Sequence, residues 1–196
     1  MPLVDPLPLG SSPEVEELAR FFNTTLGFPP NSVLTMQRRP AIAEAFIRLN
    51  QAVMENHGAL TSEFKRLLAL VSSQTTGCRY CQAHTALAAE RLGAAADRIA
   101  AVWEFETSPL FTEAERAALA LSIAASQVPN QVDQAVIDRA RASWEDGDLV
   151  EIMGVIALFG FLNRWNDGMG TTLEPGAVAA GDRHLASAGW SPGKHG

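Results

Sequence analysis

The sequence offers little to hold nucleic acid or a membrane. It has 15 lysines and arginines against 22 aspartates and glutamates, a net charge of −7, and no basic run. No nucleic-acid partner is expected. Gly-rich phosphate loops, low-complexity tracts and visible internal repeats are missing, and no alternating strand pattern emerges. The most apolar run, Ile152 to Leu162, is too short to cross a bilayer and contains two glycines. Met1 to Gly10 has no positive n-region and is broken by Pro2, Pro6 and Pro8, so it does not read as a signal peptide. No membrane contact and a cytoplasmic location are expected. Cysteine is scarce as well, with two in the chain. In a reducing compartment a structural disulfide is unusual, and a close cysteine pair points to redox chemistry.

What the chain does have is helix-forming material. Alanine and leucine abound, β-branched residues are thin, and there is a single tyrosine. Apolar residues make up 47% and charged ones 19%, a globular composition, and 196 residues fit one domain. The fold class expected is all-α.

Both cysteines fall in Gln74-Thr-Thr-Gly-Cys-Arg-Tyr-Cys-Gln-Ala-His84, with Cys78 and Cys81 spaced C-x-x-C and His84 three residues further on. The polar stretch Gln74 to Gly77 leads into an alanine-rich segment, so a helix should start at or near Cys78. Its positive end favours thiolate over thiol. Residues at i and i+3 share a face, which sets Cys81 beside both Cys78 and His84. His84 could then carry the thiol proton. A zinc site would need Cys78, Cys81, His84 and one distant ligand, without a second cysteine pair to supply it. Two cysteines merely packed in the core fit this spacing poorly. Tyr80, between the thiols, either positions substrate or packs.

The run Cys78-Arg-Tyr-Cys-Gln-Ala-His84-Thr-Ala resembles the active-site motif of the AhpD-like superfamily, which includes alkylhydroperoxidase D and the carboxymuconolactone decarboxylases. Leu162-Asn-Arg-Trp-Asn-Asp167 and Gly189-Trp-Ser-Pro-Gly-Lys-His195 resemble its uncharacterised peroxidase-related branch. The resemblance implies a helical bundle and a cysteine-based hydroperoxide reductase or thiol–disulfide oxidoreductase. Its substrate would be a small hydroperoxide, its electron donor an external dithiol, and its only cofactor the Cys78–Cys81 disulfide itself. Cys81 is taken as the peroxide-reactive thiol and Cys78 as its resolving partner, although helix position favours Cys78 as the more exposed, lower-pKa thiol. Two departures stand out. Two residues, Gln82 and Ala83, separate Cys81 from His84, where alkylhydroperoxidase D has three. The peroxidase's relay glutamate, about a dozen residues before the first cysteine, falls here at Arg66; Glu63, one turn earlier, is the substitute to consider. A cation there stabilises a thiolate and accepts no proton. The alternatives are a carboxymuconolactone decarboxylase-like enzyme on a small organic acid, or a non-catalytic helical protein with a vestigial thiol pair.

In order, the chain reads as an extended arm at 1–12, a helical domain at 13–188 and a loop tail at 189–196. Helices are expected from Pro13 to Gly27 with Ser12 as cap, near 32–37, and from Pro40 with Ile42, Phe46, Leu49 and Val53 inward. Others follow from Thr61, from Cys78, over 94–103, from Thr112 to Gln127, over 132–144 with Asn130 as cap, over 149–165 and over 175–186. Asn163 to Gly170 should break the apolar helix, whose Gly154 and Gly160 admit a close neighbour. That helix is either central or an oligomer interface, and a homo-oligomer is expected. Arg164 and Asp167 could pair, His57 should lie on the surface, and the four tryptophans should anchor the core or an interface.

Overall fold

The computed structural model describes residues 1–196 and contains eleven α-helices, three short 3-10 turns and no strand. They run α1 Pro13–Ala19, α2 Phe21–Thr25, α3 Asn31–Met36, α4 Pro40–Met54, α5 Ser62–Thr76, α6 Arg79–Arg91, α7 Ala96–Ala100, α8 Glu113–Ser126, α9 Gln134–Arg141, α10 Asp146–Met169 and α11 Pro175–His184. None is long and apolar enough to cross a membrane.

The central element is α5. Every residue from Phe64 to Ser73 is buried, because α6, α8 and α10 surround it. Thr61 caps it by accepting the Phe64 N–H at 3.1 Å. The helix runs past the expected turn at Gln74. The Thr75 and Thr76 hydroxyls donate back to the Val71 and Ser72 carbonyls and so stay satisfied inside the helix. Gly77 then takes φ +83°, Gly77 N–H donates to the Gln74 carbonyl and Cys78 N–H to the Ser73 carbonyl. This is a Schellman closure. It folds α6 back against α5 through two residues.

Several boundaries differ from the sequence expectation. The first helix divides at Arg20, and Ser12 gives no backbone cap; its hydroxyl donates to Glu14. Asp133, not Asn130, caps α9, while Asn130 accepts from Val132 within the preceding turn. On α4 the inward stripe is Ala43, Phe46, Ile47, Asn50 and Met54, and Ile42 and Leu49 are 45% and 50% exposed. With Phe161 of α10 they form an outward apolar patch. The largest difference is α10, which continues through Asn163 and Asn166 to Gly170. Those two polar residues lie buried on the same side as Phe159 and Leu162, so tertiary contacts override their weak helix propensity. Arg164 donates to the Gly160 carbonyl and Asp167 pairs with Lys194, so they do not pair with each other. A methyl group at Gly154 or Gly160 would meet only ordinary contacts at 3.6 Å. His57 lies on the surface as expected, and Thr112 and Glu115 form the expected capping box.

The tail is no free loop. Trp190 is buried, and its indole N–H donates to the Arg79 carbonyl at 3.1 Å. Leu173 N–H donates to the His195 carbonyl at 2.8 Å, and the His195 ring is buried 6.0 Å from the Tyr80 ring. At the other end, Leu3 N–H donates to the Met169 carbonyl at 2.7 Å.

Gly181 is the notch that receives Trp190, since a Cβ there would lie 2.4 to 2.7 Å from three ring atoms. Gly181→Ala should cost about 1–3 kcal/mol by overpacking, read as a lower urea midpoint with an unchanged slope. An unchanged midpoint would mean that the indole is not seated there.

Candidate active site

The Gly77–Cys78 turn places the thiols. Cys78 is the N-cap of α6, and its sulfur accepts the Cys81 N–H at 3.5 Å. Both thiols are free, and both are buried, Cys78 at 0% and Cys81 at 2% exposure. The expectation that Cys78 is the more exposed is therefore reversed. Their acidities diverge. The hydrogen bond donated by the Cys81 thiol holds Cys78 below the ordinary thiol value, outweighing its burial. Burial, with the neighbouring Cys78 sulfur, pushes Cys81 well up. Cys78 is thus the more acidic of the two thiols, and Cys81 the one that holds its proton longer.

Asn166 of α10 donates its amide to the Cys81 sulfur at 3.4 Å, while its carbonyl accepts from the Thr171 hydroxyl at 3.0 Å. The sequence reading missed this residue because it placed Asn166 in a helix break.

His84 does not bond to either sulfur. Its Nδ1 lies 2.9 Å from the Tyr80 carbonyl and its Nε2 lies 2.8 Å from Glu174 Oε2. The second contact is off the line of a good hydrogen bond. The ring stacks on Tyr80 at 4.1 Å between centroids. Glu174, the residue before α11, ties this corner together. Its Oε1 accepts the Tyr80 hydroxyl at 3.0 Å and also the Asn31 N–H. Burial pushes the Glu174 carboxyl up, but the His84 ring and the Asn31 N–H more than offset this and hold it below its ordinary value. Burial and the Glu174 charge push Tyr80 well up, so it remains a phenol able to donate. The site's carboxylate is thus Glu174, which nothing local in the sequence marks. Glu63 points elsewhere and pairs with Arg98 at 2.6 Å.

A narrow cavity of about 50 Å³ opens beside these groups. Phe22, Leu26, Phe46, Phe159 and Leu162 form its apolar wall; Cys81, Tyr80, His84, Asn166 and Arg66 contribute polar groups. Cys78 is not part of the lining and stands behind Cys81. The arrangement presents one sulfur to a small molecule, with a second sulfur in hydrogen-bond contact to close a disulfide. Cys78, Cys81, Tyr80 and His84 lie together at the start of α6 without the expected Cys81–His84 bond, Arg66 stands at the cavity wall, and Glu63 lies apart.

Residues 40–126 match the carboxymuconolactone decarboxylase family. Among solved structures, the apo form of the debrominase Bmp8 is 36% identical with a TM-score of 0.85, covering 92% of this chain and 97% of that one. A cysteine-to-alanine variant of the same debrominase in complex with 2,3,4-tribromopyrrole gives a TM-score of 0.87 at 36% identity, covering 92% and 96%. An uncharacterised peroxidase-related protein from Ralstonia eutropha JMP134 shares the fold at 20% identity and a TM-score of 0.69, covering 89% of this chain and 94% of that one. The uncharacterised protein YnjA of Escherichia coli K12 is 37% identical over 93 residues, 47% of this chain and 50% of that protein. The chain thus spans about half the length of that relative.

The thiol assignment is testable by titration. Cys81→Ala removes the hydrogen bond that lowers Cys78, so the Cys78 pKa should rise, read from the ultraviolet absorbance of the thiolate against pH. A Cys78 pKa that stays put or falls would show that Cys81 does not stabilise the thiolate.

Proposed function

The chain belongs to the carboxymuconolactone decarboxylase family, in its AhpD-like group, and from that premise we propose that it is a dithiol reductase. It passes two electrons from Cys78 and Cys81 to a small electrophilic acceptor. The observation that carries this reading is Cys81 facing an aromatic-walled cavity with the more acidic Cys78 thiol in hydrogen-bond contact behind it.

A halogenated ring is the acceptor best supported. Phe22, Phe46 and Phe159 give the cavity an apolar aromatic lining suited to such a ring. The relative covering most of this chain at 36% identity is a debrominase. In this chemistry the Cys78 thiolate takes the Cys81 proton as the Cys81 sulfur attacks the halogen. The carbon–halogen electron pair stays on the ring carbon, which takes a proton from the Tyr80–Glu174–His84 cluster. Cys78 then displaces halide from the Cys81 sulfur and loses its proton, and a disulfide forms. In sum, a ring halide, the Cys78 thiolate and the Cys81 thiol give the ring hydride, halide and a disulfide, the proton that Cys78 loses replacing the one the cluster gave up. An external dithiol restores the pair by exchange.

Hydroperoxide reduction is the second reading, and the C-x-x-C pair followed by His84 supports it. There the Cys81 sulfur takes the terminal oxygen, alcohol leaves with a proton, and Cys78 displaces water from the sulfenic acid. In both readings the protein works as a homo-oligomer.

The test is a single turnover under anaerobic conditions. Reduced protein is mixed with either 2,3,4-tribromopyrrole or cumene hydroperoxide, and free thiols and bromide are counted. The expected result is bromide release matched by loss of both thiols, abolished in Cys81→Ser. Thiol loss with the hydroperoxide alone would move the second reading to the front, and retention of both thiols with either reagent would end both.

A further inference from the structure

Arg66 is a cation without an anion. It is 7% exposed, and its guanidinium makes no hydrogen bond or ion pair to any protein group, with Nε fully shielded from solvent. Lys65, the next residue and the one other buried lysine or arginine, lies 2.8 Å from Glu151, and the half-buried Arg98 has Glu63 and Glu115. Burying an unpaired charge carries a heavy desolvation penalty, so the exception calls for a partner that the chain does not supply. Burial lowers the Arg66 pKa only to about 10, so the group stays charged at neutral pH.

Two further polar atoms share this situation. Thr25 Oγ1 and Asn50 Oδ1 are buried without a hydrogen-bond partner, and both residues line the same cavity as Arg66 and Cys81. A hydroxyl and a side-chain amide, whose NH₂ can turn inward, complement a guanidinium as donors to an oxyanion. Thr25 and Arg66 also line a neighbouring cleft of about 490 Å³, which places the guanidinium on the boundary between that cleft and the thiol cavity. Glu55 borders the cleft too, but it is exposed and its near partner is His57 at 3.8 Å.

We infer that Arg66, Asn50 and Thr25 form a carboxylate-binding subsite of the thiol cavity, so that the substrate is a small ring bearing an acid group. This rests on the reading of the cavity beside Cys81 as the substrate site. The guanidinium holds the carboxylate, the phenylalanine wall holds the ring, and the reacting atom meets Cys81. The charge left unpaired in the free protein is neutralised only when such an acid is bound, which gives selection against neutral rings of the same shape.

Binding to the reduced full chain is measured by calorimetry with benzoate and with its neutral isostere benzamide. Wild type should bind benzoate at least about tenfold more tightly than benzamide, and Arg66→Gln should erase that difference. Bound benzoate should also slow alkylation of Cys81. Arg66→Met, which removes the unpaired charge, should unfold at an equal or higher urea concentration than wild type. Equal binding of the two probes by wild type, as expected if water alone satisfies the guanidinium, would overturn the subsite. So would undiminished benzoate binding by Arg66→Gln, or a lower urea midpoint in Arg66→Met, which would make Arg66 a structural residue. Bromide release from bromobenzoate is read separately. Its absence, with discrimination between the probes intact, ends the reductase reading and leaves the subsite standing.

Discussion

A single backbone constraint organises this molecule: the left-handed turn at Gly77. A side chain there would meet nothing within 4 Å, so space does not demand glycine; the φ of +83° does. The turn ends the central helix α5 and starts α6 within two residues. It thereby sets Cys78 at a helix N-terminus, brings the Cys81 amide to its sulfur, and turns Cys81 toward the cavity. The thiol pair is therefore only as well placed as the packing of α5 against α6.

Around that hairpin the chemistry is gathered from far along the chain. Asn166 reaches Cys81 from α10, and Glu174 reaches His84 and Tyr80 from the start of α11. The charges arrive in unequal state. Glu174 has its imidazole, its phenol and a backbone N–H, whereas Arg66 has nothing. One end of the site is electrostatically complete and the other is open.

The sequence made legible what is local. The C-x-x-C spacing put both cysteines at a helix start, Thr61 and the Thr112–Glu115 box marked their helices, and Ala- and Leu-rich periodicity gave the all-helical class. What it hid depends on contacts between distant segments. Asn163 and Asn166 look like helix breakers until both are seen to be buried, Asn166 against Cys81 of α6. Glu174 merely precedes the helix expected from Pro175, yet it serves the site from there. The spacing of Ile42 and Leu49 is helical, but spacing alone does not say which of two adjacent stripes faces inward. The expected Cys81–His84 contact failed for a similar reason: shared facing permits a bond, but a distant carboxylate drew the ring away.

The seating of Trp190 and His195 has a consequence for how the protein comes into being. These residues back Arg79 and Tyr80, and Glu174 lies only shortly before them in the chain. A ribosome delivers the cysteine helix well before it delivers either one. During synthesis the thiols therefore exist without their carboxylate, without a fixed tyrosine and without a finished pocket. Nascent chains carry the cysteine pair first, and the corner around Tyr80 and His84 is completed only when Glu174 and His195 arrive.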